Sequence, residues 1–106
     1  MLWDGRKSPY LYRVFVELKR GKEVLDTLSQ YVGLRSFRVD AEKGFILNGK
    51  PYKIKGVNRH QDRPDKGWAI SSADHREDMS LIKEIGANGI RLAHYPHSDE
   101  FYTCAT

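Results

Sequence analysis

Two clusters of polar side chains each follow a short apolar run in this chain. The first is NRHQDR at 58–63, after a run that ends at Val57, and the second is HYPH at 94–97, after a run that ends at Ala93. Both clusters are rich in hydrogen-bonding and titratable groups. If both runs are strands, the clusters are candidates for two walls of one pocket.

A metal site is one alternative use of these residues. Imidazole and carboxylate are ligands that fit zinc. No ligand pair among the candidates has the spacing typical of a helical or knuckle site, so the spacing does not favour this alternative. The candidate ligands are His60, Asp62, His94 and His97.

The first part of the chain, which precedes these clusters, has a β pattern. Residues 10–19 alternate with period two, which predicts a half-buried strand with one solvated face. Arg20-Gly21 predicts a tight turn into a second strand at 22–28, and residues 34–39 are a third candidate. Three antiparallel strands are typical of part of a β-sandwich and are too few to complete one.

The second part of the chain has an α/β pattern. Residues 45–57 predict a hairpin around Asn48-Gly49, because both central residues of a primed turn need positive φ. Residues 71–74 predict a capped helix start, Gly86 predicts the helix end, and a strand is expected at 88–93. Strand, helix and strand in this order predict a βαβ unit with parallel, neighbouring strands.

A βαβ unit would bring the two polar clusters together. The carboxyl ends of parallel strands meet at one edge of the sheet, which is where ligands bind in α/β folds. His60 and His94 are therefore predicted to face one cleft. His75 falls inside the predicted helix and is expected to be a solvated surface group, while Asp74 and Asp78 fit the electrostatics of a helix start.

Several motifs, in order and at matching spacing, resemble glycoside hydrolase family 2, and within it bacterial β-galactosidases. They are GFILNGKP at 44–51, GVNRH at 56–60 and RLAHYP at 91–96. Trp3 with PYLY at 9–12, and GLR at 33–35, also resemble the family.

The resemblance implies an α+β fold in two parts. Residues 1–40 would be the closing strands of an immunoglobulin-like β-sandwich domain. Residues 41–106 would be the N-terminal part of a (β/α)8 TIM-barrel catalytic domain, with its first hairpin and βαβ unit. Departures from the family pattern at Met1 and over 101–106 suggest a truncated chain or a broken reading frame. The exposed apolar faces of two partial domains are expected to favour self-association.

The resemblance also implies a retaining glycosidase that uses two glutamates, with carboxyl groups about 5–5.5 Å apart. In the family both come from later barrel strands, beyond residue 106, so this chain alone is expected to be inactive. His60 and His94 match histidines that bind sugar hydroxyls, and Arg91 matches an arginine that orients the nucleophile. Asn58 and Asp62 are assigned supporting hydrogen bonds to the sugar.

Some alternatives remain open at this point. Glucuronidases of the family share the GVN-basic-His loop, so that loop leaves the sugar open, although GWA at 67–69 and His97 favour galactosidases. A non-enzymatic carbohydrate-binding module would use the same residues. Arg91 could instead pair with Glu84 or Asp78 of the helix, and Trp68 could be a sugar platform or a packing residue.

Composition narrows the partners. The net charge is +4 over 106 residues, but acidic residues are interleaved and no aromatic-basic recognition motif occurs, so nucleic acid is not expected. No apolar stretch approaches the roughly 20 residues of a membrane span, and no signal-peptide pattern follows Met1. No cofactor is expected in this chain. A divalent cation or a homo-oligomer in the parent protein, and a bacterial cytoplasmic or periplasmic location, all stay open.

Overall fold

The computed structural model describes residues 1–105 as two compact units, one from Met1 to Tyr52 and the other beginning at Lys53. Strand β3 (Phe37–Asp40) pairs with β4 (Gly44–Leu47) across the residue 40/41 division that the resemblance implies. The two compact units do not divide at residue 40/41, so the division there remains a prediction about the family domains. None of the helices formed by residues 1–105 has the length and apolar character to cross a membrane.

Strands β1 (Tyr12–Arg20) and β2 (Glu23–Val32) form the predicted antiparallel hairpin. Gly21 has a φ of +63° in the tight turn, a conformation that glycine adopts without steric cost. The prediction of a half-buried strand is wrong. Phe15 and Val16 lie on opposite faces of β1, yet their exposed fractions are 66% and 56%, because no other described element covers either face of this two-stranded ribbon.

The third predicted strand does not join β1 and β2. It is β3, which begins at Phe37 rather than at residue 34 and belongs to a three-stranded sheet of order β3-β4-β5. The Asp40 carboxylate accepts hydrogen bonds from the backbone N–H groups of Glu42 and Lys43, at 3.1 and 3.0 Å. This Asx-type turn sends the chain straight back along β3, so a local hairpin takes the place of the predicted sandwich pairing.

The predicted primed turn is confirmed, since Asn48 and Gly49 have φ values of +50° and +80°. The strand after it is shorter than expected. Strand β5 is only Lys50–Pro51, and the next strand starts at Gly56. Proline has no N–H to continue the ladder, which explains why the predicted strand from residue 50 to residue 57 is interrupted.

The second unit contains the predicted βαβ arrangement. Strand β6 (Gly56–Arg59) pairs in parallel with β7 (Gly89–Leu92), and helix α1 (Ser72–Glu84) connects them. A second helix, α2 (Asp99–Cys104), follows β7, and the predicted departure over 101–106 ends at Thr106, outside the described residues. The buried apolar residues of this unit are Met79, Ala87, Ala93 and Phe101.

Both ends of α1 are formed as the sequence predicts. Ser71 is the N-cap, and its side chain and that of Asp74 make the reciprocal bonds of a capping box. Gly86, with a φ of +78°, follows the last turn. Asn88 then fixes the start of β7, because its side chain accepts from Lys55 N–H at 2.6 Å and donates to the Lys53 carbonyl at 2.9 Å.

Candidate functional site

The register of β6 and β7 gives the small sheet two different faces. Asn58 lies opposite Arg91, and Arg59 lies opposite Leu92. Because side chains alternate along a strand, Asn58 and Arg91 share one face while Arg59 and Leu92 share the other. The face with Asn58 and Arg91 is exposed, and the Arg59 side chain on the other face is buried against α1.

The two predicted histidines meet at the carboxyl ends of these strands. His60 follows β6 directly, and His94 lies two residues after β7. Their ring centroids are 5.6 Å apart with the planes inclined at 77°, an edge-on arrangement. Both side chains are exposed, so they could reach a ligand. The predicted proximity of His60 and His94 is confirmed.

Arg91 is bonded to one of these histidines. Its Nη2 lies 2.9 Å from Nδ1 of His94. A guanidinium has only donors, so Nδ1 must be the acceptor and the imidazole is neutral with its proton on Nε2. His94 therefore offers an N–H donor to the exposed face. The alternative that Arg91 pairs with Glu84 or Asp78 is wrong, since Asp78 binds other arginines and no described ion pair joins Arg91 to Glu84.

The residues next to the two histidines hold the two loops together. The backbone N–H of Gln61 donates to the Tyr95 hydroxyl at 3.0 Å, and the Gln61 side-chain oxygen accepts from Ser98 N–H at 2.8 Å. Gln61 follows His60 and Tyr95 follows His94, so these bonds limit how far the two imidazoles can separate. Asp62, also assigned to the site, is exposed on the first of these loops.

A buried cluster around Arg59, which was not predicted from the sequence, lies beneath the site. The guanidinium donates to Asp78 Oδ2 from Nε at 3.0 Å and from Nη2 at 2.7 Å. It also reaches Nδ1 of His97 at 3.0 Å and Nδ1 of His75 at 3.1 Å, and it lies 4.0 Å from the ring centre of Phe101. These contacts offset the cost of burying the charge.

Three expectations change because of this cluster. His75 is buried and binds Arg59, so the prediction of a solvated surface group is wrong. His97, left open as a ligand of the cleft, is buried in the same cluster. Asp78 acts as an ion-pair partner and not as a helix-start charge. The alternation of side chains along β6 was the sequence signal for this cluster, because it places Arg59, with Val57, on the side that faces the helix.

Arg63 extends the cluster towards solvent. It donates to Glu77 at 2.6 Å and to Asp78 Oδ1 at 2.6 Å, and these two carboxylates raise the pKa of its guanidinium. Asp74 accepts hydrogen bonds from the backbone N–H of Ser71 and from the ammonium of Lys66, which hold its carboxyl pKa well below the usual range. The helix start is thus an interlocked set of charges, and Asp74 has the capping role predicted for it.

A family model described as "Glycosyl hydrolases family 2, TIM barrel domain" matches residues 37–106, and a second one, "Glycosyl hydrolases family 2", matches residues 1–35. The chain belongs to glycosyl hydrolases family 2. The matches confirm the resemblance stated from the sequence motifs.

The family relatives carry two kinds of name. A β-glucuronidase of Bacteroides fragilis is 44% identical over 95% of this chain and 14% of its own length, and a β-galactosidase of Bacteroides ovatus is 40% identical over 93% and 12%. The crystal structure of a Bacteroides uniformis β-glucuronidase is 45% identical and superimposes with a TM-score of 0.86 over 97% of this chain and 12% of that one. The chain therefore spans a small part of the family proteins that it matches.

An exposed aromatic side chain, that of Trp68, lies beside the site. Trp68 is 71% exposed, and its ring centre lies 5.2 Å from that of Tyr95. Phe101 is fully buried. Residues 1–105 hold no group of three or more histidine, cysteine, aspartate or glutamate side chains that could bind a metal ion.

Proposed function

We propose that the protein carrying this chain is a retaining β-glycosidase that hydrolyses terminal β-D-galactosides in carbohydrate metabolism. The observation that carries the proposal is the pair of exposed imidazoles, His60 and His94, 5.6 Å apart at the carboxyl ends of two parallel strands. That edge of an α/β sheet is where ligands bind. The chain spans about an eighth of the Bacteroides ovatus β-galactosidase, so the activity belongs to the whole protein.

In the proposed architecture residues 1–40 close an immunoglobulin-like sandwich and residues 41–106 begin the barrel. Both faces of the β1–β2 hairpin are exposed, which supports the first assignment, since in a complete sandwich a partner sheet would cover one of them. The two faces of β6 and β7 support the second. Helix α1 covers one face, and the other, with Asn58 and Arg91, is left for a barrel interior.

The sugar-binding roles follow from the hydrogen-bonding capacity of each group. His94 offers its Nε2–H to a sugar hydroxyl, because Nδ1 is occupied by Arg91. His60 offers a second imidazole to the same ligand from the neighbouring strand. Asn58 and Asp62 add an amide and a carboxylate, which suit sugar hydroxyls because each hydroxyl both donates and accepts.

Arg91 is proposed to orient the nucleophilic carboxylate. It uses one of its five N–H groups on His94, which leaves a pair of parallel donors for a bidentate carboxylate. In this proposal both glutamates of the retaining reaction come from parts of the protein other than these 106 residues. The present chain supplies the groups that hold the sugar and the nucleophile in place. A divalent cation and a homo-oligomer remain predictions for the whole protein.

The second candidate is a β-glucuronidase with the same mechanism. The names of the relatives favour keeping it, since a β-glucuronidase is 44% identical to this chain and a β-galactosidase 40% identical. The structure weakens one of the two features on which the sequence favoured galactosidases, namely His97. His97 is buried on Arg59, away from the exposed face, so it does not read the sugar.

The test is hydrolysis of a panel of aryl β-glycosides by the whole protein, with His94→Ala and Glu84→Ala beside it. Glu84 ends α1, which places it towards the opposite edge of the sheet, and it is exposed. Preferential cleavage of the galactoside, lost in His94→Ala and kept in Glu84→Ala, is expected. A preference for the glucuronide selects the second candidate. No cleavage of any glycoside would overturn both and favour a carbohydrate-binding module.

A further inference from the structure

The peptide groups that precede His94 are held by the buried cluster from both sides. The N–H of Ala93 donates to the Arg59 carbonyl at 3.0 Å. The carbonyl of Ala93, which is bonded directly to the nitrogen of His94, lies 3.4 Å from Nε2 of His97. Arg59 contributes its backbone to the first contact and, through His97, its side chain to the second.

The guanidinium of Arg59 also determines what His97 can do. Nη1 lies 3.0 Å from Nδ1 of His97, and because a guanidinium only donates, Nδ1 must accept. The neutral ring then carries its proton on Nε2, which is the nitrogen that faces the Ala93 carbonyl. The opposite tautomer would place two donors against each other at Arg59 and two acceptors against each other at Ala93.

We infer that Arg59 and His97 are positioning residues, which set the place of the His94 imidazole by holding the Ala93 carbonyl through one fixed histidine tautomer. This inference rests on the proposed function, in which His94 touches the sugar. Neither residue reaches the ligand itself, because both side chains are buried on the opposite face of the sheet. Their effect on the reaction must therefore pass through His94.

The chain contains its own matched comparison for this role. His75 is bound to the same guanidinium through Nδ1, at 3.1 Å, and it is as buried as His97. His75 belongs to α1 and no described hydrogen bond joins it to Ala93. A purely structural role would make the two histidines equivalent. A positioning role separates them, since only His97 touches the peptide of His94.

The experiment compares His97→Asn with His75→Asn in the whole protein, on the aryl β-glycoside that it cleaves best. An asparagine amide oxygen can take the place of Nδ1, so Arg59 keeps an acceptor in both variants. The shorter asparagine side chain cannot reach the Ala93 carbonyl. We expect His97→Asn to lower kcat/KM roughly tenfold to a hundredfold, mostly in kcat, and His75→Asn to change it less than about threefold. His97→Gln, whose amide nitrogen extends to the position of Nε2, is expected to recover part of the loss.

The decisive measurement repeats His97→Asn in the His94→Ala background. If His97 acts through His94, its substitution has no further effect on kcat/KM there. An equal loss in both backgrounds, or an equal loss in His75→Asn, would overturn the inference and leave the proposed function intact. Full activity of His94→Ala would overturn the proposed function itself. If His97→Asn does not fold, Arg59→Lys takes its place in the same cycle, because an ammonium cannot bind Asp78 and both histidines with the geometry of the fork.

Discussion

Arg91 Nη2 donates a hydrogen bond of 2.9 Å to Nδ1 of His94, which couples the side chain of a strand residue to that of a residue in the following loop. The bond leaves the imidazole neutral and aims its remaining N–H away from the arginine. Both side chains are exposed on the face of β6 and β7 that α1 does not cover. The two residues therefore act as one unit, and we expect a substitution of either one to disturb the side chain of the other.

Arg91→Lys is expected to lower kcat/KM of the whole protein about a hundredfold. A lysine ammonium cannot bind His94 and a carboxylate with the parallel donors of a guanidinium, so two groups lose their orientation. Because the two residues act as a unit, the loss in Arg91→Lys/His94→Ala should be smaller than the product of the single losses. Steady-state kinetics of the three variants check this, and strictly multiplicative losses would show that the contact has no role in the reaction.

Tyr95→Phe is expected to loosen the two histidine loops. It removes the hydroxyl that accepts from Gln61 N–H at 3.0 Å and leaves a partly buried donor without its partner, at a cost of about 1–2 kcal/mol. His60 then has more freedom relative to His94, so KM for the aryl glycoside should rise several-fold. Tyr31→Phe is the control, because Tyr31 is 64% exposed on β2. An unchanged KM in Tyr95→Phe would mean that other contacts hold the two loops together.

Local patterns in the sequence correctly predicted the hairpin turn of the first unit and the βαβ arrangement of the second. Asn48-Gly49 takes positive φ, Ser71 and Asp74 cap α1, and β6 and β7 are parallel. Each of these depends on neighbours along the chain or on the chirality of a short crossover. That is why the proximity of His60 and His94 could be predicted from the sequence.

The Arg59 cluster could not be predicted in the same way. Strand alternation places Arg59 on the helix side of β6, but the partners that bind its buried guanidinium lie 16, 19 and 38 residues away, and no local pattern identifies them. His75 looked like an ordinary polar residue of a helix surface for the same reason. The alternation along β1 led to the opposite error, because it predicted a buried apolar face where the structure has an exposed one. Burial of that face requires a covering sheet, and residues 1–105 provide none.

Asp78→Asn is expected to destabilise the second unit strongly. Asp78 binds Arg59 at 2.7 Å and Arg63 at 2.6 Å, and Arg59 is only 6% exposed. Removing the carboxylate charge leaves a buried guanidinium uncompensated, at a cost of about 3 kcal/mol or more. Amide hydrogen exchange in α1 of the whole protein measures this as faster opening of the helix.

Glu77→Gln provides the matched control for that substitution. Glu77 also binds Arg63 at 2.6 Å, but its side chain is 61% exposed. An exposed ion pair contributes little, so α1 should lose no more than about 0.5 kcal/mol. If Asp78→Asn destabilised α1 as little as Glu77→Gln, then His75, His97 and Phe101 would compensate the buried charge of Arg59 without Asp78.

Asp74→Asn is expected to change how stability depends on pH. Hydrogen bonds from Ser71 N–H and the Lys66 ammonium lower the pKa of Asp74 in the folded protein below its ordinary value of 3.8. The unfolded state therefore takes up the proton first as pH falls, so the stabilisation is complete above about pH 4 and is lost as pH decreases from there through the folded pKa. The variant lacks the titrating group, so at neutral pH it should unfold at a lower temperature than the wild type.

The difference between wild type and Asp74→Asn should then narrow as pH is lowered, and calorimetric unfolding at pH 7, 4 and 3 would measure it. Asp40→Asn gives an independent comparison in the first unit, because the N–H groups of Lys43 and Glu42 lower the pKa of Asp40 as well. Both variants should show the narrowing, since in each the folded state stabilises the ionised carboxylate. A difference for Asp74→Asn that stays constant down to pH 3 would mean that the capping geometry, and not the carboxylate charge, provides the stabilisation.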